Sequence, residues 1–191
     1  MSEIRANRVD GGTPPTTEVS VEAPTPTDGA ALWRIARDAK TLDLNSSYAY
    51  LLWCRDYADT TAVLRVGGVI GGFVTGYRRP IRPDTLVVWQ VAVDAAHRGG
   101  GRATMLLDGL VSRLLRSGVR YLETTVTAAN EPSNRTFTGL ARRWNVACER
   151  TELFTADMFP DQHEAEFLYR IGPFEPTADH ASAVSSDNAT T

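Results

Sequence analysis

Cysteine is scarce in this 191-residue sequence: Cys54 and Cys148 are the only two, with no CxxC and no Cys/His pairing. That scarcity argues against a disulfide framework and a zinc site, and it fits a reducing compartment. Long apolar runs are missing too, since none approaches the ~20 residues needed to cross a bilayer. The opening "MSEIRANRVDGGTPPTTEVS" has no apolar stretch of the kind a secretion signal carries. A cytoplasmic protein is the expectation. Positive charge is not in excess, with a formal net charge of −3. Arginines gather only in separated pairs (Arg78/Arg79, Arg98/Arg102, Arg142/Arg143), so neither a nucleic acid nor a membrane is an expected partner.

What remains is ordinary for one globular domain: 42% hydrophobic and 23% charged residues, enough to bury a substantial core. Residues 1–24 are rich in Pro, Thr, Gly and Glu and have little to bury, so they read as a disordered arm; 175–191 read as a disordered tail. The folded unit is expected over 25–174. It opens with a helix capped by Thr27 or Asp28, then a loop running into a second helix. "TAVLRVGGVIGGFVTGYR" reads as a β-hairpin turning at Gly67-Gly68. "TLVVWQVAVD" is nearly continuous in apolar residues, which predicts a strand buried on both faces. Ala103, Leu106, Leu107, Leu110, Val111 and Leu114 recur at helical spacing, and "YLETTVT", "NEPSNRTFTGLARRW" and two C-terminal strand-like runs follow. The order α-α-β-β-β-α-β-α-β-β implies an α/β or α+β sheet with helices packed on it.

Residues 88–106, "VWQVAVDAAHRGGGRATML", place three consecutive glycines between a strand and a helix. Unpaired amides at a helix start, stripped of side chains, make an anion cradle. No Lys-Ser or Lys-Thr follows, so this is not a P-loop. Thr104 stands where a dinucleotide fingerprint needs its last glycine. A glycine-rich turn with no ligand is the plain alternative. Arg98-x-x-Gly101-x-Ala103 after "VAVD" resembles the acetyl-CoA pyrophosphate loop of the GNAT superfamily of N-acetyltransferases. The resemblance implies a GNAT-type fold, a mixed twisted sheet flanked by helices, with acetyl-CoA lying where "VVWQVAVD" and "YLETTVT" splay apart. Backbone near Gln90, including Val91 and Val93, would hold the pantetheine. Amides of Gly99, Gly100, Gly101, Arg102 and Ala103 would hold the pyrophosphate, with Arg98 and Arg102 adding charge. Asn130 would touch the pantetheine arm, cap its helix, or do both.

A narrower resemblance rests on "LDLNSSYAYLL", "PDTLVVWQVAVD", "YLETTVTAANEPSNRTF" and "DQHEAEFLYRIGP", in order across residues 25–174. Together these are similar to the L-2,4-diaminobutyrate acetyltransferases of ectoine biosynthesis. The resemblance implies acetyl transfer from acetyl-CoA to the 4-amino group of L-2,4-diaminobutyrate, giving N4-acetyl-L-2,4-diaminobutyrate for osmoprotection, and a homodimer. Such an amine has a pKa of about 10.4, so freeing its lone pair near pH 7.4 costs roughly 4 kcal/mol. A proton acceptor is therefore needed. By the resemblance, Asp43, Tyr48, Trp89, His163 and Glu166 line the acceptor site. Asp43 and Glu166 would take the ammonium groups, with Glu166 as base, Trp89 as a cation–π wall, and Tyr48 as proton donor to the leaving thiolate. Glu123 is a further catalytic candidate, or else a partner of Arg120 or Arg142. Plainer roles stand beside these: Asp43, Asn45 or Ser46 as a helix cap, and Trp89 as core. His163 and Glu166 imitate half a metal site, but no further ligands cluster near them, so no metal is expected. Another small diamine or amino acid as acceptor, or a non-catalytic acyl-CoA-binding module, are the competing functions.

Overall fold

The computed structural model describes residues 18–175; positions 1–17 and 176–191 of the expected arm and tail lie outside the described residues. Seven strands form one sheet in the order β1-β2-β3-β4-β5-β7-β6. The strands are β1 Val19–Glu22, β2 Ala62–Val66, β3 Val69–Arg79, β4 Arg82–Val93, β5 Tyr121–Thr127, β6 Cys148–Phe154 and β7 Glu166–Ile171. Four helices accompany them: α1 Gly29–Ala39, α2 Ser47–Arg55, α3 Arg102–Leu115 and α4 Glu131–Trp144. No helix among the described residues is long and apolar enough to cross a membrane.

Strand β1 corrects the expectation of a disordered arm reaching residue 24. Val19–Glu22 pair antiparallel with β2, and Val21 fits a notch on α3, where a Cβ added to Gly109 would meet its Cγ1 at 2.8 Å. Four residues carry too little periodicity to announce a strand; the open edge of β2 recruits them. Asp28 also departs from expectation. It does not cap α1 with its side chain. Its carboxylate accepts from the Thr25 amide at 2.8 Å and from Arg65 Nη2 at 3.0 Å, tying the helix entry to β2. Ser46 is the cap of α2, accepting from the Ala49 amide at 3.3 Å. The hairpin turn at Gly67 and Gly68 is as expected, both with positive φ.

Helices α1 and α2 cover one face of the N-terminal strands through Leu32, Ile35, Tyr50 and Cys54 against Val63, Phe73 and Ala92. Helices α3 and α4 cover the other, with Leu106, Leu107, Leu110, Phe137 and Leu140 packed on Leu64, Leu86, Val88, Leu122 and Ile171. The register of β4 against β3 shifts at two places, beside Arg78 and Arg79 near the hairpin end and beside Thr75 and Gly76 further along. Gly76 pairs with Val88 and Thr75 with Gln90, leaving Trp89 as an extra residue, a β-bulge. Trp89 is 56% exposed. The expectation that this strand is buried on both faces therefore fails at Trp89. A run of apolar residues looks the same whether its strand is covered twice or lines an open cleft.

Among the described residues β4 and β5 are the one parallel pair, and they stay together only from Thr85↔Tyr121 to Val87↔Glu123. Beyond that point the strands part. The register runs Tyr77–Val87–Glu123–Arg170 across β3, β4, β5 and β7, so these four side chains share one face at the base of the split.

Candidate active site

Two cavities open at this split and adjoin at Thr41 and Leu42, which line both. The first, about 510 Å³, runs between the end of β4 and the starts of α3 and α4. Val91, Val93, Arg98, Gly99, Gly101, Arg102, Ala103 and Asn130 line it. Strand residues stop at Val93 because Asp94 begins a tight turn: its carboxylate accepts from the Ala96 amide at 3.0 Å and pairs with Arg34 of α1 at 2.7 Å. The Ala96 amide, and then Arg34, hold the Asp94 carboxyl below the usual carboxylate range. The glycines follow with φ of 90°, 57° and 71° at Gly99, Gly100 and Gly101. Three successive left-handed residues explain the triple glycine, because L side chains strain there. A Cβ at Gly99 or Gly100 would meet nothing within 4 Å, so the space above that backbone is open.

This loop has the chemistry of an anion site. The amides of Gly99, Gly100 and Gly101 have no backbone acceptor among the described residues. They sit at the positive end of the fourteen-residue helix α3. Arg102 Nη1 is buried without a hydrogen-bond partner, so the loop also carries a charged donor able to meet an anion. Asn130 caps α4, accepting from the Ser133 amide at 3.2 Å, while also lining the cavity. Both roles anticipated for it are compatible with that position.

The second cavity, about 650 Å³, lies on the other side of Thr41–Leu42 against β3, β4, β5 and β7. Asp43, Trp89, Glu123, His163 and Glu166 meet there from segments far apart in the chain. Trp89 reaches it because of the bulge. Asp43 is held from behind: Gln90 Nε2 donates to the Asp43 carbonyl at 2.7 Å, and the Tyr50 hydroxyl donates to Gln90 Oε1 at 3.0 Å. Burial pushes the Tyr50 phenol up, which keeps it a donor. His163 stacks on Phe159, with ring centroids 4.4 Å apart, and its Nε2 lies 3.7 Å from Glu166 Oε1. The Glu164 carbonyl, followed by the charges of Glu166, Asp43 and Asp161, raises the His163 pKa above its ordinary value. Glu166 Oε2 is buried and accepts from no group. An unsatisfied buried carboxylate oxygen is costly unless a cation completes it.

Two anticipated roles change. Tyr48 projects from α2 with 64% exposure and lines neither cavity, because the inward-facing position of that helix is Tyr50. Glu123 lines the cavity but is not free: Oε2 accepts from Arg79 and Oε1 from Arg170. Arg120 and Arg142 are not its partners; Arg120 donates to the Leu115 and Val119 carbonyls. With both oxygens bound to guanidinium groups, Glu123 is suited to holding arginines and poorly suited to taking a proton. Sequence reasoning misses the side chains of Arg79, Gln90 and Tyr50. A glutamine inside the apolar run of β4 is the one visible signal, since a buried amide needs partners. No group of three or more metal-ligating side chains occurs among the described residues. Cys54 is buried in the core, and burial pushes its thiol up to about 12, so it is no nucleophile.

Comparison with known proteins agrees with this geometry. The acetyltransferase (GNAT) family profile matches residues 30–140. An L-2,4-diaminobutyric acid acetyltransferase from Streptomyces coelicolor is 57% identical over 159 residues, covering 82% of this chain and 94% of that protein. A protein of the same name from Halalkalibacterium halodurans is 44% identical, covering 84% and 85%. Among solved structures, the diaminobutyrate acetyltransferase of Paenibacillus lautus, in complex with its substrate L-2,4-diaminobutyric acid and coenzyme A, superposes with a TM-score of 0.78. It is 42% identical, with 84% of this chain and 98% of that one covered.

Proposed function

The chain belongs to the acetyltransferase (GNAT) family, among its diaminobutyrate acetyltransferases, and we propose that it transfers acetyl from acetyl-CoA to the 4-amino group of L-2,4-diaminobutyrate. The product is N4-acetyl-L-2,4-diaminobutyrate, an ectoine precursor in osmoprotection. The observation that carries the acceptor side is the buried, unpartnered Glu166 Oε2, in a cavity adjoining the one lined by the glycine loop.

In this reading the amides of residues 99–103, with Arg98 and Arg102, hold the CoA pyrophosphate. Val91, Val93 and Asn130 flank the pantetheine. The parting of β4 from β5 leaves β4 amides without a strand partner, available to polarise the thioester oxygen. Asp43 and Glu166 receive the ammonium groups against Trp89. Glu166 takes one ammonium proton, and the freed amine attacks the thioester carbon to give a tetrahedral adduct. As the C–S bond breaks the sulfur departs with its electron pair and takes the second proton from the attached nitrogen, leaving the neutral amide and the CoA thiol. The Glu164 carbonyl and then the Glu166 carboxylate favour the charged form of His163, which stands beside the carboxylates of this cavity. We propose further, as the family resemblance implies, that it works as a homodimer in the cytoplasm.

Thiol release from acetyl-CoA, measured in parallel with diaminobutyrate, ornithine, lysine and putrescine, tests the assignment. Diaminobutyrate should give the highest kcat/KM by at least an order of magnitude. Comparable values for all four acceptors would sink it.

A further inference from the structure

The acceptor cavity is not uniformly acidic. Among the described residues, Arg79 is the one arginine or lysine that lines it. Its Nη1 donates to Glu123 Oε2, and the side chain is 37% exposed. Glu123 is 3% exposed, and its other oxygen is taken by Arg170. Arg170 lies over the Tyr121 ring at 3.9 Å and does not line the cavity. Two guanidinium groups around one carboxylate leave one surplus positive charge. Arg79 is the member of the trio through which the cavity meets that charge. Its Nε and Nη2 have no acceptor among the described residues, so one edge of a rigid fork stays open.

We propose that Arg79, braced by Glu123, is the clamp for the α-carboxylate of the acceptor and the residue that restricts this enzyme to amino-acid diamines. The inference rests on the diaminobutyrate reading and adds what that reading lacked, a carboxylate-binding element beside the acidic residues. Diaminobutyrate presents two ammonium groups whose charges are alike, so charge alone does not select between them. Fixing the carboxylate at Arg79 pins the α-carbon and its nitrogen at the β3–β4 end of the cavity. The 4-amino group then extends toward the carboxylate of Glu166 at the start of β7. Glu123 prevents Arg79 from folding away and, being already bound twice, does not compete for the substrate's ammonium groups.

The experiment compares kcat/KM for L-2,4-diaminobutyrate and for 1,3-diaminopropane, the same diamine without its carboxylate, in wild type, Arg79→Gln and Arg79→Lys. The ratio of the two values does not depend on the fraction of folded enzyme. The KM for acetyl-CoA checks the remainder of the site. Arg79→Gln should lower the ratio about 10- to 100-fold, the range for a lost charge-assisted pair. Arg79→Lys should lower it less, since a point charge remains while the fork is lost. N2-acetylated product should rise with diaminobutyrate in both variants. A ratio in Arg79→Gln within twofold of wild type, or equal losses with both acceptors, would overturn the clamp and leave the diaminobutyrate reading intact. Wild type that does not prefer diaminobutyrate would overturn the functional reading and the clamp with it.

Discussion

Glu123 and Glu166 are glutamates facing one cavity, and their surroundings divide the work between them. Glu123 is saturated by Arg79 and Arg170, whereas Glu166 keeps a buried oxygen with no partner. A base must have a lone pair aimed at the proton it removes, so Glu166→Gln should cut kcat/KM by about 100-fold or more. Turnover unchanged at neutral pH would remove Glu166 from that role. His163 reports on the same cluster. Its raised pKa means that the folded protein favours the imidazolium, a contribution fully present below the ordinary value near 6.5 and lost as pH climbs through the higher folded value. An NMR titration should place the His163 midpoint above 6.5, and Glu166→Gln should move it down. A midpoint that ignores the substitution would separate His163 from Glu166 electrostatically. By resemblance the sequence singled out Asp43, Trp89, His163 and Glu166, and all four line the second cavity. Sequence could not separate the two glutamates, because which arginines reach Glu123 depends on strand register.

At the scale of elements, the site is made by two irregularities: a bulge in β4 and three left-handed glycines before α3. The glycines were legible because only one residue type accepts that backbone cheaply. Gly101→Val should therefore raise the KM for acetyl-CoA about tenfold or more while moving the acceptor KM far less, since a β-branched residue resists φ of 71°. Equal changes in the two constants would argue for collapse of the whole cleft. The bulge was not legible. No residue type marks it, and an apolar strand of the same composition could pair without interruption. The chemistry of Trp89 is visible in the sequence, while its access to the cavity comes from the extra residue's place in the ladder.

The whole molecule shows how far local pattern carries. Helices α1 to α4 and strands β2 to β7 follow from periodicity, caps and turn glycines, all of which act within a few residues. β1 does not, because its stabilisation comes from β2 and the notch at Gly109, distant in sequence. A chain starting at residue 25 should be less stable to urea than one starting at residue 18 by about 2 kcal/mol, the worth of burying Val19 and Val21 in part. Equal midpoints would show β1 to be dispensable. The sequence by itself determined the element order, the glycine cradle and, through its likeness to a family, the pair of substrates, because composition and short-range pattern suffice for those. Only the tertiary structure decided that Tyr50 faces inward and Tyr48 does not. It alone showed that Trp89 borders a cavity, and that Arg79 stands in that cavity with Glu123 behind it. Each of these depends on which strand lies beside which and in what register, and that is settled by packing across the sheet rather than by neighbours along the chain.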